Sequence, residues 1–124
     1  MFNSKSKSSY SNGEFSINSI GKGASVVGDI QAPDDIRIDG SLKGNLNCDA
    51  RFILGAGGNV EGDIKCQSAI VLGRLTGTIE VRDSLEVGSS AILNGTVHTS
   101  KLIIDEGAVF NVECHMSDVK NESD

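Results

Sequence analysis

The sequence predicts an all-β chain wound as a single-domain β-solenoid of about six coils, and three observations predict it. A five-residue pattern, apolar–any–Gly–polar–apolar, returns at intervals near 17 residues. The apolar residues are mainly Ile, Val and Leu, accompanied by 15 Gly and one Pro, a composition suited to short strands joined by tight corners. No stretch sets apolar residues at helical spacing behind a capping signature. A period near 17 is too short for helix-containing repeats. It suits one solenoid turn of two or three short strands, whose apolar rows are buried only when coils stack.

The copies follow in order. They are Val26-Val27-Gly28-Asp29-Ile30, Leu42-Lys43-Gly44-Asn45-Leu46, Val60-Glu61-Gly62-Asp63-Ile64, Leu75-Thr76-Gly77-Thr78-Ile79 and Leu93-Asn94-Gly95-Thr96-Val97. The sixth, Phe110-Asn111-Val112-Glu113-Cys114, carries Val in place of the central Gly. Central positions are separated by 16, 18, 15, 18 and 17 residues. A second apolar block lies between successive copies: Ile36-Arg37-Ile38, Phe52-Ile53-Leu54, Ile70-Val71-Leu72, Leu85-Glu86-Val87 and Leu102-Ile103-Ile104. Six coils at about 4.8 Å each make a rod of roughly 29 Å.

Corners along one edge of the rod alternate in length. Gly21-Lys22-Gly23-Ala24, Gly55-Ala56-Gly57-Gly58 and Gly88-Ser89-Ser90-Ala91 are long, whereas Asp39-Gly40-Ser41 and Gly73-Arg74 are short. The last, Asp105-Glu106-Gly107-Ala108, is long again. Bulged and tight corners are therefore expected in alternation, with Gly supplying the special backbone angles. The solenoid is assigned to residues 20–116. Residues 1–19, rich in Ser and Asn, and the polar, acidic 117–124 read as disordered tails. Ile17 and Ile20 alternate loosely toward the first coil.

Composition excludes several function classes. A chain of 124 residues has room for one domain, and its net charge of −6 is a poor match for a phosphate backbone. The longest apolar runs are three or four residues, such as Ala69-Ile70-Val71-Leu72, too short to span a bilayer. Residues 1–19 contain no apolar segment of a secretory signal. Three cysteines without C-x-x-C spacing fit a reducing cytoplasm. No phosphate-cradling glycine motif is present, and two histidines in one column offer no Ser-His-Asp arrangement. No catalytic residue, cofactor, nucleotide or metal ligand set is assigned, and the chain is not read as an enzyme.

Equivalent positions of successive coils stack into columns. Two residues past each centre stand Ile30, Leu46, Ile64, Ile79, Val97 and Cys114; four past stand Ala32, Cys48, Cys66, Val81, Thr99 and Met116. Period-two alternation turns both columns inward. The cysteines read as inert buried thiols, with Cys48 and Cys66 in adjacent coils. Three past the centre stand Gln31, Asn47, Lys65, Glu80, His98 and His115, an outward column. Its two histidines are neighbours at about 4.8 Å, and two ligands do not make a structural metal site. Asp29, Asn45, Asp63, Thr78, Thr96 and Glu113 read as corner residues bonded to their own backbone.

A solenoid has an unpaired edge at each end, which other proteins cover. This sequence offers no amphipathic cover. Its last coil sets Phe110, Val109 and Val112 near the open end, and an aromatic beside an uncapped edge reads as an association surface. End-to-end assembly follows as the expectation, with Val26 and Ile20 of the first coil assigned to the same interface.

The chain here resembles the bactofilins. The resemblance rests on Ile20-Gly21-Lys22-Gly23, Gly28-Asp29-Ile30, Ile36-Arg37-Ile38-Asp39-Gly40 with Gly44-Asn45-Leu46, and Gly107-Ala108-Val109-Phe110. It covers about residues 20–116 and departs at Val112-Glu113-Cys114, where the family pattern has a Gly-Asn-Cys-like ending. It implies a right-handed parallel β-helix of triangular cross-section. It also implies nucleotide-independent, apolar filaments built by head-to-head and tail-to-tail contacts. Such filaments act as a bacterial cytoskeletal scaffold on the inner face of the cell membrane, positioning cell-wall or cell-shape enzymes. Phe110 matches the family's polymerisation phenylalanine, and residues 1–8 resemble its membrane-targeting peptide.

That peptide has a physical mechanism. Met1 and Phe2 can insert at the lipid interface while Lys5 and Lys7 meet anionic headgroups. Many copies along a filament add avidity. The alternative reading is a left-handed hexapeptide-repeat acyltransferase, a trimeric enzyme. It requires coil spacings near 18, a register that the steps of 16 and 15 break.

Overall fold

The computed structural model describes residues 17–116. All of its regular elements are strands. They are β1 (Ile17–Ile20), β2 (Ser25–Val27), β3 (Ile30–Ala32), β4 (Asp35–Ile38), β5 (Ser41–Cys48), β6 (Arg51–Leu54), β7 (Asn59–Cys66), β8 (Ser68–Val71), β9 (Arg74–Val87), β10 (Ile92–Ile104) and β11 (Val109–Met116). Every pairing between them is parallel. The fold is thus a parallel β-solenoid of about six coils, as the repeat predicts.

One ladder runs from β2 and β3 through β5, β7 and β9 to β10 and β11. The other runs from β1 through β4, β6 and β8 into the second halves of β9 and β10. Within the first ladder the motif glycines stand in register, Gly44 beside Gly62, then Gly77, then Gly95. Each has a positive φ between 131° and 144°, which turns the chain in mid-strand. Each coil thereby gains three sides, such as 41–43, 45–48 and 51–54.

Inward residues alternate with outward ones along each side. The core holds Leu42, Leu46, Phe52, Leu54, Val60, Ile64, Leu75, Ile79, Leu85 and Leu93, all at most 2% exposed. Of the third apolar block, Ile70-Val71-Leu72, only the middle residue turns inward. Ala69 and Val71 face inward there, leaving Ile70 and Leu72 half-buried outside. The register explains the arrangement, because Ala69 lies beside Phe52 and the small side chain admits the bulky ring of the adjacent coil.

The alternating corners are also present. The four long corners are hydrogen-bonded turns, closed by Ala24 N–H to Gly21 O (3.0 Å), Gly58 N–H to Gly55 O (2.8 Å), Ala91 N–H to Gly88 O (3.0 Å) and Ala108 N–H to Asp105 O (3.3 Å). The short corners tuck beneath them. A β-carbon on Gly40 would strike the carbonyl oxygens of Ala24 and Gly21, and one on Gly73 those of Gly55 and Gly58. Tight corners therefore fit only where glycine lets them pass under the bulge.

Two sequence expectations change. Ile17–Ile20 pairs with Asp35–Ile38, so the first coil begins three residues before the expected boundary at 20. Asp29 does not bond its own backbone; its Oδ1 accepts from Asn45 Nδ2 of the next coil at 3.1 Å. Adjacent coils bring these side chains within reach, and the pair forms a cross-coil link. The rest of the expected N-terminal tail and the whole C-terminal tail, 117–124, lie outside the described residues.

Candidate polymerisation surfaces

The two ends of the rod are where the stacking that builds the core stops. At the C-terminal end β11 pairs only with β10, and the second half of β10 only with β9. Among the described residues, the other edges of Lys101–Ile104 and Val109–Met116 face no strand. At the N-terminal end β1 pairs only with β4, and β2 and β3 only with β5. Both edges offer unsatisfied backbone donors and acceptors to a further strand.

Side chains at the C-terminal end repeat the core columns without a coil above them. Val87 is 1% exposed, and Ile104 in the same column is 43% exposed. Thr99 is 1% exposed, and Met116 above it is 50% exposed. Phe110 lies over the buried Leu93 and is itself half-buried. Val112 stands in register with Gly95 and is half-buried, while Val109 is exposed. Ile103 is exposed beside them. The last coil thus leaves several apolar side chains exposed or half-buried at this end of the rod.

At the N-terminal end, Ile20 and Val26 are half-buried over Ile38 and Leu42. Val27 stands in the outward column beside Lys43 and is the most exposed large apolar residue described. The five interface residues named from the sequence therefore divide, with Phe110, Val109 and Val112 at one end and Ile20 and Val26 at the other. Five coil steps of about 4.8 Å separate the groups. Ile103, Ile104, Met116 and Val27 were not singled out from the sequence. Ile104 and Met116 end core columns and have no described coil to cover them, whereas Ile103 and Val27 stand in outward columns beside Glu86 and Lys43.

Cys114 requires a correction. It was expected to be a buried thiol and is exposed, because its column ends with it. Cys48 and Cys66 are buried, as expected. The imidazoles of His98 and His115 stack in the outward column, with centroids 4.8 Å apart and planes 14° apart. Glu113 Oε1 lies 3.5 Å from His115 Nε2. Among the described residues, no group of three or more His, Cys, Asp or Glu is arranged to hold a metal ion. A shallow polar furrow runs along the rod between Asp29, Asn45 and Asp63 on one wall and Gln31, Asn47 and Lys65 on the other. Met1, Phe2, Lys5 and Lys7, the expected membrane-contacting residues, lie outside the described residues.

Comparison with known proteins agrees with this architecture. Residues 18–115 match the profile of a family described as bactofilin, polymer-forming cytoskeletal. The chain is 30% identical over 101 residues to bactofilin BacO of Myxococcus xanthus (strain DK1622), covering 80% of each chain. It is 26% identical over 101 residues to bactofilin BacP of the same organism, covering 82% of this chain and 42% of that relative. No solved structure matches.

Proposed function

Because this chain belongs to the bactofilin family of polymer-forming cytoskeletal proteins, we propose that it is a bacterial scaffold whose subunits join end to end into filaments without nucleotide. The apolar C-terminal end carries this reading. In the last coil Ile104, Val109 and Met116 are each at least 43% exposed and Phe110 is half-buried, beside a strand edge that no described strand pairs. Burying such a surface recovers apolar stabilisation of about 25 cal/mol per Å², and a docked strand satisfies the open backbone row. In the same reading, contacts are head-to-head and tail-to-tail, each symmetric contact bringing one end onto its own copy. The filament has no polarity. Residues 1–8 attach it to the inner face of the cell membrane, where it positions cell-wall or cell-shape enzymes.

Negative-stain electron microscopy of the purified full chain, free of nucleotide and metal, tests the assembly beside a Phe110→Arg variant. An unpaired charge at a buried contact is costly. Filaments from the wild type and short particles from the variant are expected. Uniform small particles from both would overturn the reading.

A further inference from the structure

Buried in the column that closes one side of each coil, two free thiols stand one above the other. Cys48 lies in β5 beside Ala32, and Cys66 lies in β7 beside Val81. Their immediate predecessors, Asn47 and Lys65, are in-register partners, so the next residues stack directly. Both thiols are free and at most 2% exposed. Burial, and next the proximity of Cys48, push the Cys66 thiol up to about 12, while Arg82 acts in the opposite sense.

The spacing suits one kind of ligand. Neighbouring strands lie about 4.8 Å apart, an α-carbon separation that a disulfide also tolerates, yet both thiols are free. Two metal–thiolate bonds of about 2.3 Å laid end to end span about 4.6 Å, close to the coil repeat. Two thiolates are also the whole soft donor set. The nearest other donors at Cys48 Sγ are the carbonyl oxygens of Asp34 (3.3 Å) and Arg51 (3.5 Å), which are hard and distant. Zinc asks for four ligands, while thiolates select soft ions such as Cu(I).

We propose that Cys48 and Cys66 form a two-coordinate site for a soft, thiophilic cation of the cuprous type, held in line between adjacent coils. Each sulfur gives up its proton to solvent and donates an electron pair to the ion; no electron is transferred. A monovalent ion then leaves one negative charge on the pair, and Arg82 supplies the nearby positive charge. Cys66 forms part of the wall of a surface depression with Asn47, Lys65, Glu80 and Arg82, which provides a way in. The site depends only on coil stacking and stands apart from the assembly reading.

The test uses the full chain carrying Cys114→Ser, which removes the exposed thiol. Cu(I) is supplied anaerobically against bicinchoninate, whose cuprous complex is coloured. One ion per chain is expected, with affinity rising up to about 100-fold per pH unit because two protons leave. Cys66→Ala and Cys48→Ala, which copy the residue found at Ala32 in the same column, should each lose about 100-fold or more in affinity. Failure to withdraw the ion, or unchanged stoichiometry in either alanine variant, would overturn the proposal. X-ray absorption of the loaded Cys114→Ser protein needs no second variant to fold. Two sulfur neighbours are expected, and oxygen or nitrogen neighbours in their place would overturn it.

Discussion

A β-carbon on Gly62 would strike the carbonyl oxygen of Gly44 in the preceding coil, well inside van der Waals contact. The glycine ladder therefore has two causes. A φ of +143° at Gly62 disfavours any side chain, and the coil spacing excludes one sterically. Gly62→Ala should cost about 3 kcal/mol or more, combining backbone strain with a clash against fixed main chain. Gly23, with a φ of +89° and nothing within 4 Å of a β-carbon, bears only the strain. Gly23→Ala should cost about 1–2 kcal/mol. Urea unfolding midpoints of the two variants, read in a Phe110→Arg background chosen to block the proposed end contacts, compare them. Equal losses would mean that stacking adds nothing to the glycine requirement.

Phe52 and Ala69 form a large–small pair across one coil step, at 0% and 1% exposure. Phe52→Ala should lower stability by about 3–5 kcal/mol, since the neighbouring Ala69 cannot fill the cavity. Phe52→Leu should cost less. Thermal unfolding by circular dichroism reads both.

Cys66 predicts a loss of stability at alkaline pH. Its thiol is raised from 9.0 to about 12 in the fold, chiefly by burial. The stability linked to the neutral thiol is complete below about pH 9 and is lost as pH rises toward 12. Cys66→Val, which copies Val81 of the same column, should unfold with a weaker pH dependence across that window. Denaturant unfolding at pH 8 and pH 10.5 gives the comparison, and an identical slope in the variant would refute the assignment.

End contacts and lateral faces should respond differently to the same charge. Ile104 lies on the apolar C-terminal end, whereas Thr76 is exposed on a mid-rod face. Ile104→Lys should shorten filaments severalfold in electron micrographs, and Thr76→Lys should leave their length unchanged.

The N-terminal peptide supplies a separable prediction. Removing residues 1–8 takes away Met1, Phe2, Lys5 and Lys7. Sedimentation with vesicles containing phosphatidylglycerol should fall several-fold while filaments persist. Undiminished sedimentation would remove the membrane role from this segment.

Much of this fold was legible because a solenoid converts sequence period directly into space. The recurring glycine, the alternating corners and the inward columns each depend on contacts one coil away, and one coil is one repeat. Stacking of His98 on His115 was foreseeable for that reason. The phase of the third apolar block was harder to read, because Ile70 and Leu72 are more apolar than Ala69. Only the size of Phe52 in the neighbouring coil explains why the alanine turns inward.

The sequence by itself determined the β-solenoid, its repeat and the family resemblance, since a regular pattern of Gly and aliphatic residues is satisfied only by stacked coils. Tertiary structure alone decided which members of each column remain wet. Cys114, Ile104 and Met116 belong to inward columns with Val97, Val87 and Thr99, yet they lie exposed where those are buried. Burial in a solenoid is conferred by the coil above, and among the described residues the last coil has none.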